Sequence, residues 1–237
     1  MTDELFREDA DLLECTATVL AVDEAGIVLD RTVFYPLGGG QAGDAGTLTL
    51  PDGSTVAIVD TRKHKERPGA IAHVAAAGTE LSMLVAGTQV TARIDAVRRQ
   101  AHRRFHTTTH LLCALVPHPV DGCSITAEYA RLDFHMTEPL DKDALTEGLN
   151  RLIAEAHPVR HRWITEEELD ANPGLVRSMS VQPPRGLGRI RVLEVEGVDL
   201  QPCGGTHVAN TADIGRMVVT KIEKKSARTR RVVLGFA

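Results

Sequence analysis

No run of roughly 18 apolar residues occurs in the chain, and its first residues, MTDELFREDADLLE, are acidic where a secretory leader is basic and then apolar. A soluble, cytoplasmic protein with no membrane contact is the expectation. Cysteine is scarce: Cys15, Cys113, Cys123 and Cys203 are too few and too irregularly spaced for a disulfide framework in a chain of 237 residues. Reduced thiolates are therefore left for metal chemistry. Positive charge is also in deficit, since the formal net charge of −5 gives no global field for coating nucleic acid indiscriminately. Local patches survive that argument. There is no internal repeat and no low-complexity tract, and an apolar content of 43% supplies a real core.

Helical periodicity is missing before Asp95. From about residue 12 to residue 95 the chain reads as short strands (CTATVLAVD, GIVLD, TLTL, TVAIVD, IAHVA, QVTARID) punctuated by Pro, Gly and Asp, which predicts a small β-barrel. Asp95 is then a plausible N-cap for AVRRQAHRRFHTTTHLLCALV, a segment without Gly or Pro that predicts one long helix ending before Pro117 and Pro119. SITAEYARLDFHM reads as one strand-like segment with Ile125, Leu132 and Phe134 toward a core. DKDALTEGLNRLIAEAHP places Leu145, Leu149, Leu152 and Ile153 at helical spacing, and ITEEELDANP suggests a short third helix. RIRVLEVEGV, GRMVVTKIEKK and TRRVVLGFA restore strand character. The expected fold is α+β: a β-barrel domain over residues 1–95, then residues 96–237 as helices packed on an antiparallel sheet.

Within the long helix, His106 and His110 are four apart and share a face, a two-point clamp for a metal ion. Alone, such a pair is an ordinary surface or core feature, and His102 extends the row, so spacing does not fix which two serve. PCGGTH offers a second pair, Cys203 and His207, in a segment whose glycines let thiolate and imidazole converge on one point. Two half-sites together supply three nitrogens and one sulfur, a set that suits zinc. The spacing His-Thr-Thr-Thr-His lacks the glutamate of His-Glu-x-x-His, which argues against a zinc peptidase. Four protein donors also fit a structural ion, because catalysis needs an open position.

Residues 34–46, FYPLGGGQAGDAG, are short of side chains, so Gly39 and Gly40 permit close approach of a ligand and Gln41 offers donors and an acceptor there. Gly-Lys-Ser/Thr is missing, so this is no P-loop. Two basic clusters remain: Arg98, Arg99, Arg103 and Arg104, and Lys221, Lys224, Lys225, Arg228, Arg230 and Arg231. Each is either a solvated face or a phosphate contact.

Taken in order, GGGQAGDAG, HTTTH, ARLDF and QPCGGTHVANTADIG, followed by a basic terminal strand, resemble the AlaX family, freestanding relatives of the editing domain of alanyl-tRNA synthetase. The resemblance covers nearly the whole chain and is to the medium-length type. It implies a zinc-dependent deacylase acting in trans on the acceptor end of alanine tRNA carrying serine or glycine, with Ala-tRNA spared. His106, His110, Cys203 and His207 match the ligands of one zinc ion per chain, and His102 has no match. Gln41 and Cys203 take the catalytic positions. Substrate contacts are assigned to Gly39, Gly40, Gln41, Thr126 and Asp133, with Thr126 a candidate partner for a serine hydroxyl and Asp133, beside Arg131, framework or pocket wall. Lys224, Lys225, Arg228, Arg230 and Arg231 are expected on phosphates of the acceptor stem. A zinc-stabilised tRNA-binding module, or a zinc hydrolase of a small ester or amide, are the alternatives. The sequence sets no oligomeric state.

Overall fold

The computed structural model describes residues 1–179, 182–183, 185–186 and 188–237. It is a mixed α+β structure in two compact units, one of residues 1–38 and 42–100, the other of 39–41 and 101–237.

In the first unit, β1 (Asp3–Glu4), β2 (Glu14–Asp23), β3 (Gly26–Leu29), β4 (Arg31–Thr32), β5 (Gly46–Thr49), β6 (Thr55–Lys63), β7 (Ile71–Ala75) and β8 (Gln89–Ile94) follow in order. Six of them close a barrel in the order β2-β3-β7-β6-β5-β8, with β8 pairing back onto β2, while β1 and β4 form a short parallel pair. Alternation builds it: Val90, Ala92 and Ile94 of β8 point inward with Val19, Ile27, Leu29, Phe34, Leu48 and Ile58. Closure leaves the barrel itself without an edge strand. Inside, His73 is fully buried, its Nδ1 2.9 Å from the Ile27 carbonyl and its Nε2 2.8 Å from the Thr32 hydroxyl. Asp44, from the glycine-rich segment, accepts from the Tyr35 amide at 2.7 Å and from Arg99 Nε at 3.0 Å.

Helix α1 (Ala96–Leu115) is capped as expected, the Asp95 carboxylate accepting from the Arg98 amide at 3.0 Å. It begins in the first unit and continues into the second. There follow β9 (Val120–Ile125), β10 (Ala130–His135), α2 (Lys142–Ala154), β11 (Val159–Ile164), α3 (Glu166–Ala171), β12 (Ile190–Val195), β13 (Asp199–Pro202), β14 (Met217–Ser226) and β15 (Thr229–Phe236). The strands form two antiparallel sheets, β14-β15-β10-β9 and β11-β12-β13. One apolar cluster joins Phe105, Leu111 and Leu112 of α1, Leu145, Leu149 and Ile153 of α2, and Leu132, Phe134, Val219, Val232 and Leu234 of the larger sheet.

SITAEYARLDFHM is two strands, not one: the Thr126 hydroxyl accepts from the Tyr129 amide and donates to the Tyr129 carbonyl, both at 3.1 Å, and turns the chain. Ile125, Leu132 and Phe134 are buried as expected. Strands β11 and β13 carry no clear period of two and are not legible in the sequence. Among the described residues no helix is long and apolar enough to cross a membrane.

Candidate metal centre

Ligand atoms of His106, His110, Cys203 and His207 all lie within 4.8 Å of one another. The helix repeat stacks His106 and His110 one turn apart, ring centroids 5.6 Å from each other. Cys203 and His207 come from the loop after β13. Cys203 Sγ is 3.5 Å from His106 Nε2 and 3.2 Å from His207 Nε2. His102 is buried but stands outside the four.

Each imidazole is fixed from behind. His106 Nδ1 is 2.8 Å from Gln41 Oε1, and His110 Nδ1 is 2.8 Å from Asp199 Oδ2. Both partners are acceptors, so both nitrogens carry the proton. His207 Nδ1 is 3.2 Å from the Thr107 hydroxyl, which already donates to the Arg103 carbonyl at 2.9 Å and so accepts here. In each neutral ring the lone pair is therefore on Nε2, the atom available to an ion once His110, held up at about 10, gives up its second proton, as is usual where a second partner orients a metal-binding histidine. Three such nitrogens and one sulfur are able to hold a metal ion.

Burial pushes the Cys203 thiol up, but His106 and His207 outweigh that and bring it well below its ordinary value, which favours the thiolate a metal ion binds. Burial lowers His110, and the Asp199 and Cys203 contacts outweigh that and raise it to about 10. Burial, then the neighbouring His106, hold His207 well below the usual imidazole range. Cys113 and Cys123 are pushed up to about 12 by burial and stay thiols. A cation entering such a site displaces protons.

The loop is held by arginines. Arg191 Nη1 donates to the carbonyls of Cys203 at 2.9 Å and Gly205 at 3.2 Å, and Arg103 Nε donates to the His207 carbonyl at 2.7 Å. Gln41 is fully buried, and its amide also meets Thr206, donating to the hydroxyl at 2.9 Å and accepting from the backbone N–H at 3.1 Å. Only glycine fits at 205: a Cβ there would stand 2.2 Å from His106 Cε1 and 2.9 Å from Gln41 Oε1. Gly40, at φ 87°, has the same constraint against Cys123, 2.8 Å from its Sγ, and gives its carbonyl to the Ile125 amide at 2.8 Å.

Other sequence-derived candidates fall elsewhere. Gly39 is exposed beside Gly40. The Thr126 hydroxyl is engaged in its turn, and Asp133 is bound by Arg131 at 2.8 Å and by Arg231 at 2.7 and 2.8 Å. Those two arginines hold its carboxyl below the usual range despite the opposing effect of burial. Lys224, Lys225 and Arg228 are exposed around the β14–β15 turn, whereas Arg230 is buried against the carbonyls of Ser226, Thr229 and Thr137. The α1 arginines do not form a solvated face: Arg98 donates to the Gly43 carbonyl, Arg99 to Asp44, Arg103 to His207 and Arg104 to Ile214. Sequence reasoning missed Asp199, Thr107, Thr206 and Arg191. An acid four residues before Cys203 in DLQPC was the one available signal.

Residues 190–233 match the family described as Threonyl and Alanyl tRNA synthetase second additional domain, and residues 8–98 match tRNA synthetases class II (A). The chain is 33% identical over 241 residues to the alanyl-tRNA editing protein AlaX-M of Methanosarcina barkeri, covering 98% of each chain. It is 30% identical over 239 residues to AlaX-M of Saccharolobus solfataricus, again 98% of each. The alanine–tRNA ligase of Pyrococcus furiosus is 33% identical over 249 residues, which is 98% of this chain and 25% of the ligase. The order of motifs, the donor cluster and the end-to-end likeness agree, and the chain belongs to the AlaX-M family of alanyl-tRNA editing proteins.

Proposed function

We propose that this protein is a cytoplasmic, zinc-dependent trans-editing hydrolase that removes serine or glycine wrongly esterified to alanine tRNA. Membership of the alanyl-tRNA editing family makes it an aminoacyl-tRNA deacylase, a carboxylic ester hydrolase. The observation that carries the zinc assignment is that three imidazoles donate through Nδ1 and turn Nε2 toward one thiolate. Nitrogen and thiolate donors in this number suit one zinc ion per chain. Bound there, zinc supplies a fixed positive charge for the ester oxygen as it becomes negative. Residues 96–237 act as the editing domain, with the glycine-rich segment of 1–95 contributing Gln41.

Gln41 positions His106 and, with Thr206, forms the buried polar pair at the edge of the cluster. A serine hydroxyl is read by that pair, which borders His106, by exchange with the Gln41–Thr206 hydrogen bond. A site built around a hydroxyl is left with unpaired polar groups when alanine enters, which is the stronger device for sparing Ala-tRNA. Gly39 and Gly40 carry the backbone past the acyl group beside Gln41. Lys224, Lys225 and Arg228 contact acceptor-stem phosphates, while Arg230 and Arg231 hold the hairpin that presents them.

Four protein donors favour a second reading, a zinc-stabilised tRNA-binding module without catalysis. Single-turnover deacylation of Ser-tRNA, Gly-tRNA and Ala-tRNA for alanine, with zinc-loaded wild type beside Cys203→Ala, decides. Cleavage of the first or second with the third spared, and its loss in the variant, is expected. If no ester is cleaved, the binding module stands. Equal cleavage of a free serine ester would point to a small-substrate hydrolase.

A further inference from the structure

Trp163 is the only tryptophan of the chain, and it lies on β11, an edge strand. It is half-buried and belongs to neither apolar cluster of its unit among the described residues. The exposed Arg189 guanidinium lies over its ring, 4.4 Å from the centroid. A ring left out of the core on an edge strand serves packing poorly. Its place relative to the metal loop is fixed by register: Trp163 pairs with Arg191, and the Cys203 amide donates to the Arg191 carbonyl at 3.1 Å. Trp163, Arg191 and Cys203 thus form one row across β11, β12 and the end of β13, and side chains in such a row share a face. Two inter-strand steps separate Trp163 from Cys203, about 10 Å between Cα atoms. Arg191 locks the row by holding the Cys203 and Gly205 carbonyls.

We infer that Trp163 and Arg189 form a stacking platform for the terminal nucleobase of the tRNA acceptor strand, an assignment that rests on the aminoacyl-tRNA reading of the metal centre. The base and the ester of an aminoacylated nucleoside are joined by one ribose, so a substrate with its ester at Cys203 carries its base a short distance away. Tryptophan rings and guanidinium planes both stack on bases without regard to sequence, as a terminal nucleotide common to all tRNAs allows. The opposite face of β11 does not compete for this role: its Arg160 and Arg162 pair with Glu196 at 3.3 Å and Glu194 at 4.0 Å.

A sole tryptophan is its own reporter. Fluorescence of the zinc-loaded protein is titrated with uncharged alanine tRNA and with the same tRNA lacking its 3′-terminal nucleotide, binding of each being followed separately by filter retention. Quenching by the intact tRNA and none by the truncated one, with both retained, is expected. Equal quenching, or none while intact tRNA is retained, overturns the platform alone. Failure of both to bind removes the tRNA reading and the platform with it. For deacylation, Trp163→Ala raises KM about tenfold with kcat little changed, and Trp163→Phe restores most of the loss. A fall in kcat at unchanged KM would contradict the platform.

Discussion

Two of the places where this molecule buries histidine do opposite things with it. In the barrel, both ring nitrogens of His73 have protein partners, Ile27 on one side and Thr32 on the other, so nothing is left for a ligand. In the second unit, His106, His110 and His207 have protein partners at Nδ1, and their Nε2 atoms face Cys203. Burial is the same in kind, and the number of ring nitrogens already committed separates framework from ligand. The surroundings follow suit. Burial alone drives His73 down to about 4, while Asp199 and the Cys203 thiolate hold His110 up at about 10.

The largest expected effect is from Gly205→Ala, because its Cβ would collide with His106 and Gln41. Zinc affinity should fall about 100-fold, measured by competition with a chromogenic chelator. An unchanged affinity would mean that the Gln41 contact does not orient His106. Asp199→Asn comes next: the amide is a poorer acceptor for His110 Nδ1–H, and roughly 10-fold loss of zinc affinity is expected with the fold intact by circular dichroism.

His73 should show itself in stability instead. Its folded pKa of about 4 lies below the unfolded value near 6.5, so the folded state binds fewer protons between those values. The buried neutral ring therefore contributes fully above about pH 6.5, and up to about 3 kcal/mol is lost as pH falls toward 4. Urea melts of wild type and His73→Gln across that window should converge at low pH, and zinc content should be the same in both. Parallel curves would remove His73 from the comparison. The smallest effect is electrostatic: Lys224→Ala with Lys225→Ala should make the salt dependence of tRNA binding shallower by up to about two counterions, leaving stability within about 0.5 kcal/mol. A slope equal to that of wild type would place the phosphates elsewhere.

How much of this was legible depended on whether the signal was local. Period and capping gave α1 and its His106–His110 pair, because four residues make one helical turn whatever surrounds them. The strand alternation of the barrel was local in the same way. PCGGTH showed two donors and the freedom to converge them, but Asp199, Thr107 and Arg191 act through contacts set by the folding of β12, β13 and α1 against one another, which no spacing encodes. The solvated-face reading of the α1 arginines failed for a related reason. A run of like charge marks a solvated face only when the helix has one, and here each guanidinium meets a carbonyl or Asp44.

The central claim is that Nε2 atoms left uncommitted around one thiolate hold zinc, and metal content tests it most directly. Wild type, His73→Gln and Cys203→Ala would be purified in parallel, loaded with zinc, desalted and measured by elemental analysis. A single zinc per chain in the first two and almost none in Cys203→Ala is the expected result. Zinc retained by Cys203→Ala, or absent from wild type, would contradict it.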